Sequence, residues 1–141
     1  MKLCEIFDAK LSWQEKHTSS AGVKQYFFEY EDEITGKTDT IWVIFTVSSH
    51  NPSMTHINFV SKKYMYDVAN RGSGQFLILS TILGIIKDYD KSYTPSEYRF
   101  EAKEKSRIRL YNRICDKVLA EMGFERAPNT GSGVYVIYRV Q

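Results

Sequence analysis

The sequence predicts an α/β fold, a central mixed and mostly antiparallel sheet with two main helices, in the order β-β-β-α-β-α-β. Three observations carry this expectation. The first sixty residues hold aromatic and β-branched segments with strong strand propensity; two later segments switch to a repeat of three and four residues; and a short β-prone segment follows each of those. Hairpin strands that precede a helix crossing back over them make the sheet mixed.

The elements follow in order. The segment CEIFDAKLSW suits either a short helix or a first strand. After the loop KHTSSAG, VKQYFFEYEDE around Val23 and Phe27 reads as a strand. ITGKTD, with Gly36 among turn-forming polar residues, connects it as a hairpin to TIWVIFTVS. The near-continuous apolar run of that second strand predicts burial on both of its faces. SHNPSM breaks the pattern, and THINFVS resumes it with Ile57 and Phe59 on one face and His56 and Asn58 on the other.

KKYMYDVANRGSG reads as a loop, and a helix is predicted from Gln75. Phe76, Leu79, Leu83 and Ile86 form its apolar stripe, which Ile78, Ile82 and Ile85 widen. Gly84 inside it costs about 1 kcal/mol relative to alanine, which predicts close packing against the sheet. DYDKSYTPSE reads as a loop and YRFEA as a strand. In KEKSRIRLYNRICDKVLAEMGFE, Ile108, Tyr111, Cys115, Val118 and Met122 mark one buried face of a second helix, which Gly123 stops. APNTGSG is a turn, and VYVIYRV closes the chain as a strand. With no repeat and no linker, residues 1–141 are expected to form one domain.

Composition narrows the function. The chain of 141 residues is 43% hydrophobic and 26% charged, the balance of a globular protein, and its net charge of +2 is too small to imply nucleic acid by itself. Cys4 and Cys115 have neither a metal-ligand nor a redox spacing, so no metal is expected and both are read as small buried residues. Asp8 and Lys10 interrupt what would be the apolar core of a signal peptide. The apolar run Phe76 to Ile86 falls short of the ~20 residues a membrane span needs. A cytoplasmic protein without a membrane partner is expected.

The element order, together with ANRGSG and the pair Gly123-Phe124 closing a Tyr-bearing helix, resembles the GNAT superfamily of acyl-CoA-dependent N-acyltransferases. Gly72 and Gly74 match the family's loop spacing, while Ala69 stands where the family has Gln or Arg. Tyr111 lies twelve positions before Gly123, farther than is usual there. More narrowly, GSGQFLILSTILGIIKDY followed by FEAKEKSRIRLYNRI looks like small GNAT-like proteins of tailed bacteriophages, over roughly residues 40 to 140.

The resemblance implies acetyl-CoA as cofactor, its pyrophosphate held by Arg71, Gly72, Ser73, Gly74 and Gln75, and an amine of a protein or small molecule as acceptor. It implies Tyr111 as the general acid. On the residues alone, the amides at a helix start favour an anion, and a glycine lets it approach the backbone; the same glycines also suit a plain turn with Ser73 or Gly74 near the N-cap. As base, the candidates are Glu29, Glu31, His50 and His56, with His56 preferred for its titration range and its strand leading toward the loop. Arg109, Arg113 and Lys117, at four-residue steps, form a ridge suited to phosphates or an acidic partner, or else a solvated helix face. The alternative function is a non-catalytic GNAT-like phage protein that binds a host or virion protein, or nucleic acid, in the host cytoplasm.

Overall fold

The structure is a computed structural model. It describes residues 11–31, 36, 38–61, 72–102, 105–128, 130–131 and 133–140, with the side chains of 72–76, 105–107, 109 and 110 excepted. Its strands are β1 (Gln14–Lys16), β2 (Val23–Glu31), β3 (Thr38–Val47), β4 (Met54–Val60), β5 (Glu97–Glu101), β6 (Phe124–Arg126) and β7 (Val134–Arg139). Helix α1 (Gly72–Tyr93) joins β4 to β5, and α2 (Lys105–Met122) joins β5 to β6.

All seven strands form one sheet in the order β1-β2-β3-β4-β5-β7-β6. Every neighbouring pair is antiparallel except β4 and β5. The expected mixed, mostly antiparallel sheet and two helices are thus present, with a correction to the element order. The short edge strands β1 and β6 are additional; three residues each, they are too brief to show an alternation in the sequence.

Registers explain where the core lies. Phe45 faces Ile57, Thr55 faces Tyr98, and Phe100 faces Tyr135, which puts Tyr26, Phe28, Val43, Phe45, Ile57, Phe59, Tyr98, Phe100, Tyr135 and Ile137 on one face. Both helices cover that face. Tyr89 of α1 stacks on Phe45 with ring centroids 4.0 Å apart, and Tyr111 of α2 lies 5.1 Å from Phe59. The opposite face carries the half-buried Phe27, Trp42, Ile44, His56 and Arg99. Burial of β3 on both faces is therefore corrected: Ile41, Val43 and Phe45 are fully buried, whereas Trp42 and Ile44 are half-exposed, because the two helices share a side.

Helix α1 is longer at both ends than its apolar stripe implies. It begins at Gly72 rather than Gln75, so both glycines stand in its first turn, and it runs past Asp88 through residues expected as loop. Tyr89, in that added turn, is a core residue at 2% exposure. The helix ends where Thr94 takes a φ of 42° and its N–H bonds Asp90 O at 2.9 Å, with Pro95 forbidding continuation. The inward stripe is Ile78, Leu79, Ile82, Ile85, Ile86 and Tyr89, with Gly84 also buried and Leu83 only half so. For α2 the expected face is found: Tyr111, Cys115 and Val118 are buried, joined by Ile114, and Ile108 and Met122 pack at its margin. Gly123, at φ 71°, is its C-terminal stop.

Candidate functional site at the parting of two parallel strands

Chain direction brings several ends together. β4 and β5 run parallel, and each hands the chain to a helix at its C-terminal end. Both helices therefore start where β4 and β5 finish and run back along the covered face, tied near their far ends by Lys87 Nζ and Glu121 Oε1 at 3.6 Å. The parallel ladder holds only three rows, Met54–Glu97, Thr55–Tyr98 and His56–Arg99. From Ile57 and Phe100 onward the two strands share no further row, although β4 stays paired to β3 up to Val60 and β5 to β7 up to Glu101. The sheet splits here along one seam. In open α/β sheets the crevice beyond the carboxyl ends of the strands is where ligands bind.

The mouth of this cleft has an electropositive backbone. The first four N–H groups of a helix have no intrahelical partner, and the helix dipole places partial positive charge there. For α1 those residues are Gly72 to Gln75, and for α2 they are Lys105 to Ile108. Neither first turn contains an acidic residue, and that of α2 contains Lys105 and Arg107, the opposite of what a helix start favours. An anion at this end would relieve both. Arg71 lies outside the described residues, as do the side chains of Ser73 and Gln75.

The cleft has a different wall on each face. On the covered side Tyr111, 2% exposed, reaches across the parting strands, with its ring 5.1 Å from Phe59 of β4 and 5.8 Å from Phe100 of β5. Tyr135 stacks on Phe100 at 4.9 Å, and its hydroxyl lies 2.7 Å from Asn112 Oδ1 and 3.2 Å from Ile108 O. Burial pushes the Tyr135 phenol above its ordinary range. On the open side His56 and Arg99 form the last paired row, with Thr46 on the far side of His56. Tyr111 and His56 thus reach the same seam from opposite faces. The other proposed bases do not: Glu29 and Glu31 are exposed on β2, separated from β4 by β3, and His50 lies in the β3–β4 turn at the closed end.

One group just past the end of β4 is not singled out by the sequence. Ser61, the residue after β4, has a buried Oγ with no hydrogen-bond partner among the described residues. Its place two residues beyond Phe59 continues the period of Thr55, Ile57 and Phe59, and that period was the available clue. Arg99, beside His56, was also missed as a neighbour of the seam, because its pairing depends on a long-range register.

Elsewhere the candidates are less concentrated. Along the proposed α2 ridge, Lys117 is exposed and Arg113 is half-buried and engaged, while the Arg109 side chain lies outside the described residues. An open hollow of about 340 Å³ at the β6–β7 connection, lined by Arg126, Ala127, Pro128, Thr130 and Gly131, is separated from the seam by β7. Cys115 is buried, and its thiol is pushed up by burial. No group of three His, Cys, Asp or Glu among the described residues is placed to hold a metal. No helix among them is long and apolar enough to cross a membrane.

No family model and no curated protein matches the chain. Among solved structures it is similar to a point mutant of the spermidine N-acetyltransferase SpeG from Vibrio cholerae, at a TM-score of 0.44 and 10% identity, covering 86% of this chain and 68% of that one.

Proposed function

We propose that the chain is a GNAT-like N-acyltransferase that uses acetyl-CoA and acts on an amine of a protein or small molecule. The observation that carries this reading is the parallel pair β4–β5, which parts after His56 and Arg99 at the end where both helices begin. Such a seam offers an extended, amide-bearing ligand an unoccupied strand edge, and offers its phosphates a positive helix end.

The residues present fit that cofactor. Two of the four residues in the first turn of α1 are glycine, so no Cβ at those positions holds a pyrophosphate off the backbone. The Ser61 hydroxyl, buried and without a hydrogen-bond partner among the described residues, stands just past the C-terminal end of β4. When bound, acetyl-CoA provides the acyl group as an activated thioester. A ring nitrogen of His56, on the open side, accepts the proton of an incoming amine. Tyr111 Oη, on the covered side, holds the proton of a general acid.

Calorimetry with acetyl-CoA tests this directly. Micromolar binding is expected in the wild type, lost in Gly74→Glu while the circular dichroism stays native. No heat at millimolar ligand refutes the reading.

A second reading, a non-catalytic phage-type protein that docks on a host or virion protein, draws on the open sheet face. There Phe27 and Trp42 pair at 4.8 Å and Val60 is 47% exposed. It gains ground if acetyl-CoA fails to bind.

A further inference from the structure

We infer that the open face of the sheet is a docking surface for a basic, amphipathic segment of another protein. The inference names a partner chemistry for the face on which the second reading above rests, and it stands whether or not acetyl-CoA binds. Register places the residues. Phe27, Trp42 and Val60 are direct cross-strand neighbours on β2, β3 and β4, with Ile44 on the same face of β3. They make an apolar row about 10 Å wide across three strands, on the side that neither helix covers. Carboxylates flank the row. Glu29 and Glu31 continue the period of Phe27 along β2, Glu97 and Glu101 lie either side of Arg99 on β5, and Glu125 faces Tyr138. On this face of the strands, among the described residues, those five acids meet two cations, Lys16 and Arg99, with His56 counted neutral. The chain as a whole carries +2, so acidic charge is concentrated on the uncovered side.

Charge and apolar surface together select the occupant. Nucleic acid and an anionic lipid surface carry the sign of the face and are repelled by it. A second copy packed face to face would bring two acidic surfaces together. A small polyamine matches the carboxylates but has nothing to cover Trp42 and Val60. A polypeptide that mixes basic and apolar side chains serves both. The face shows the polar half of that contact in miniature: the Lys16 ammonium lies 5.4 Å from the Trp42 ring, the attraction a partner's lysine or arginine would also find.

Calorimetry on the full chain tests this with a short leucine–lysine amphipathic peptide, its leucine–glutamate counterpart, spermine and duplex DNA. The lysine peptide should bind in the micromolar range at low salt and more weakly at high salt, with no heat from the glutamate peptide. Joint reversal, Glu29→Lys with Glu31→Lys, should cut its affinity at least about tenfold, and Trp42→Ala by a similar factor. Asp116→Lys, an exposed reversal on α2, should leave it within about twofold. Circular dichroism checks that each variant is folded. No binding of the lysine peptide overturns the inference, as does an equal loss in Asp116→Lys. Equal binding of the glutamate peptide, lost in Trp42→Ala, overturns it but leaves the face a docking surface. Spermine binding as tightly as the peptide, or duplex DNA binding that Trp42→Ala weakens, reassigns the face and overturns it. A dimer in sedimentation that the Glu29→Lys, Glu31→Lys pair alters gives the face to a second copy and does the same.

Discussion

The two ends of the β4–β5 pair are built in opposite ways. At the closed end main-chain bonds tie the strands and their approaches together: Ser96 N–H to Ser53 O at 2.8 Å and Arg139 N–H to Ser96 O at 2.9 Å. Side chains lock the same end. The Tyr98 hydroxyl donates to Asp90 Oδ1 at 2.8 Å, and Arg139 Nη2 reaches that oxygen at 2.6 Å and Pro95 O at 3.2 Å. Beneath them Tyr89 and Phe45 fill the space by stacking. At the open end the strands share no further row, both helices begin beyond it, and a buried hydroxyl has no partner among the described residues. The lesson is a division of labour: one end satisfies its polar groups internally and holds the register, which lets the other keep a seam that the fold alone would close.

The largest blow to the closed end is Phe45→Ala. Removing a ring at 0% exposure should cost about 3–5 kcal/mol by urea denaturation. A loss below about 1 kcal/mol would mean that the Tyr89 stack does not anchor α1. Asp90→Ala comes next. It leaves the fully buried Tyr98 hydroxyl without its acceptor, at an expected cost of about 1–3 kcal/mol, most of it from that hydroxyl because Arg139 is partly solvated.

Hydrogen exchange compares the two ends within one strand. Amides of β4 that point toward β5 should exchange at least about tenfold faster beyond His56 than before it, a difference of about 1.4 kcal/mol. Uniform protection along β4 would erase the contrast.

Alkaline titration gives the finest comparison. Tyr26 is pushed up to about 12, mainly by burial, and Tyr98 is also raised, by burial first and then by the hydrogen bond to Asp90. A phenol raised in the folded state contributes stability that is complete below its ordinary value near 10 and is lost as pH climbs toward the folded value. Stability should therefore decline above pH ~10, with each such tyrosine adding at most about 1.4 kcal/mol per pH unit. Tyr26→Phe should flatten the slope between pH ~10 and 12; an unchanged slope would mean that its phenol is not held protonated.

What the sequence revealed depended on how local each signal was. The stripes on α1 and α2, the alternation of Ile57 and Phe59 against His56 and Asn58, and the stop at Gly123 are short-range patterns and were all legible. The burial of β3 was misjudged because an apolar run does not say how many sides are covered; that both helices share a side is a fact of topology. Tyr89 was hidden because polar neighbours dilute the last turns of α1. The seam itself was invisible. Its existence depends on where a parallel register stops between residues more than forty positions apart. Gly72 and Gly74 were recognisable as a helix start, yet their relation to a second helix start at Lys105 needed the fold.

The open face has a practical consequence. Trp42 lies there half-exposed, with the Lys16 ammonium 5.4 Å from its ring, whereas Trp13 packs at the margin of the core. The chain holds two tryptophans in all, both half-buried, and only Trp13 packs against the core, so its ultraviolet emission should separate into a more and a less quencher-accessible component. Anything that settles on that surface should shift the accessible component to the blue and protect it from iodide. A small molecule confined to the seam should leave it almost untouched. The fluorophore that tells a macromolecular visitor from a cofactor is already part of the chain, and no label has to be added.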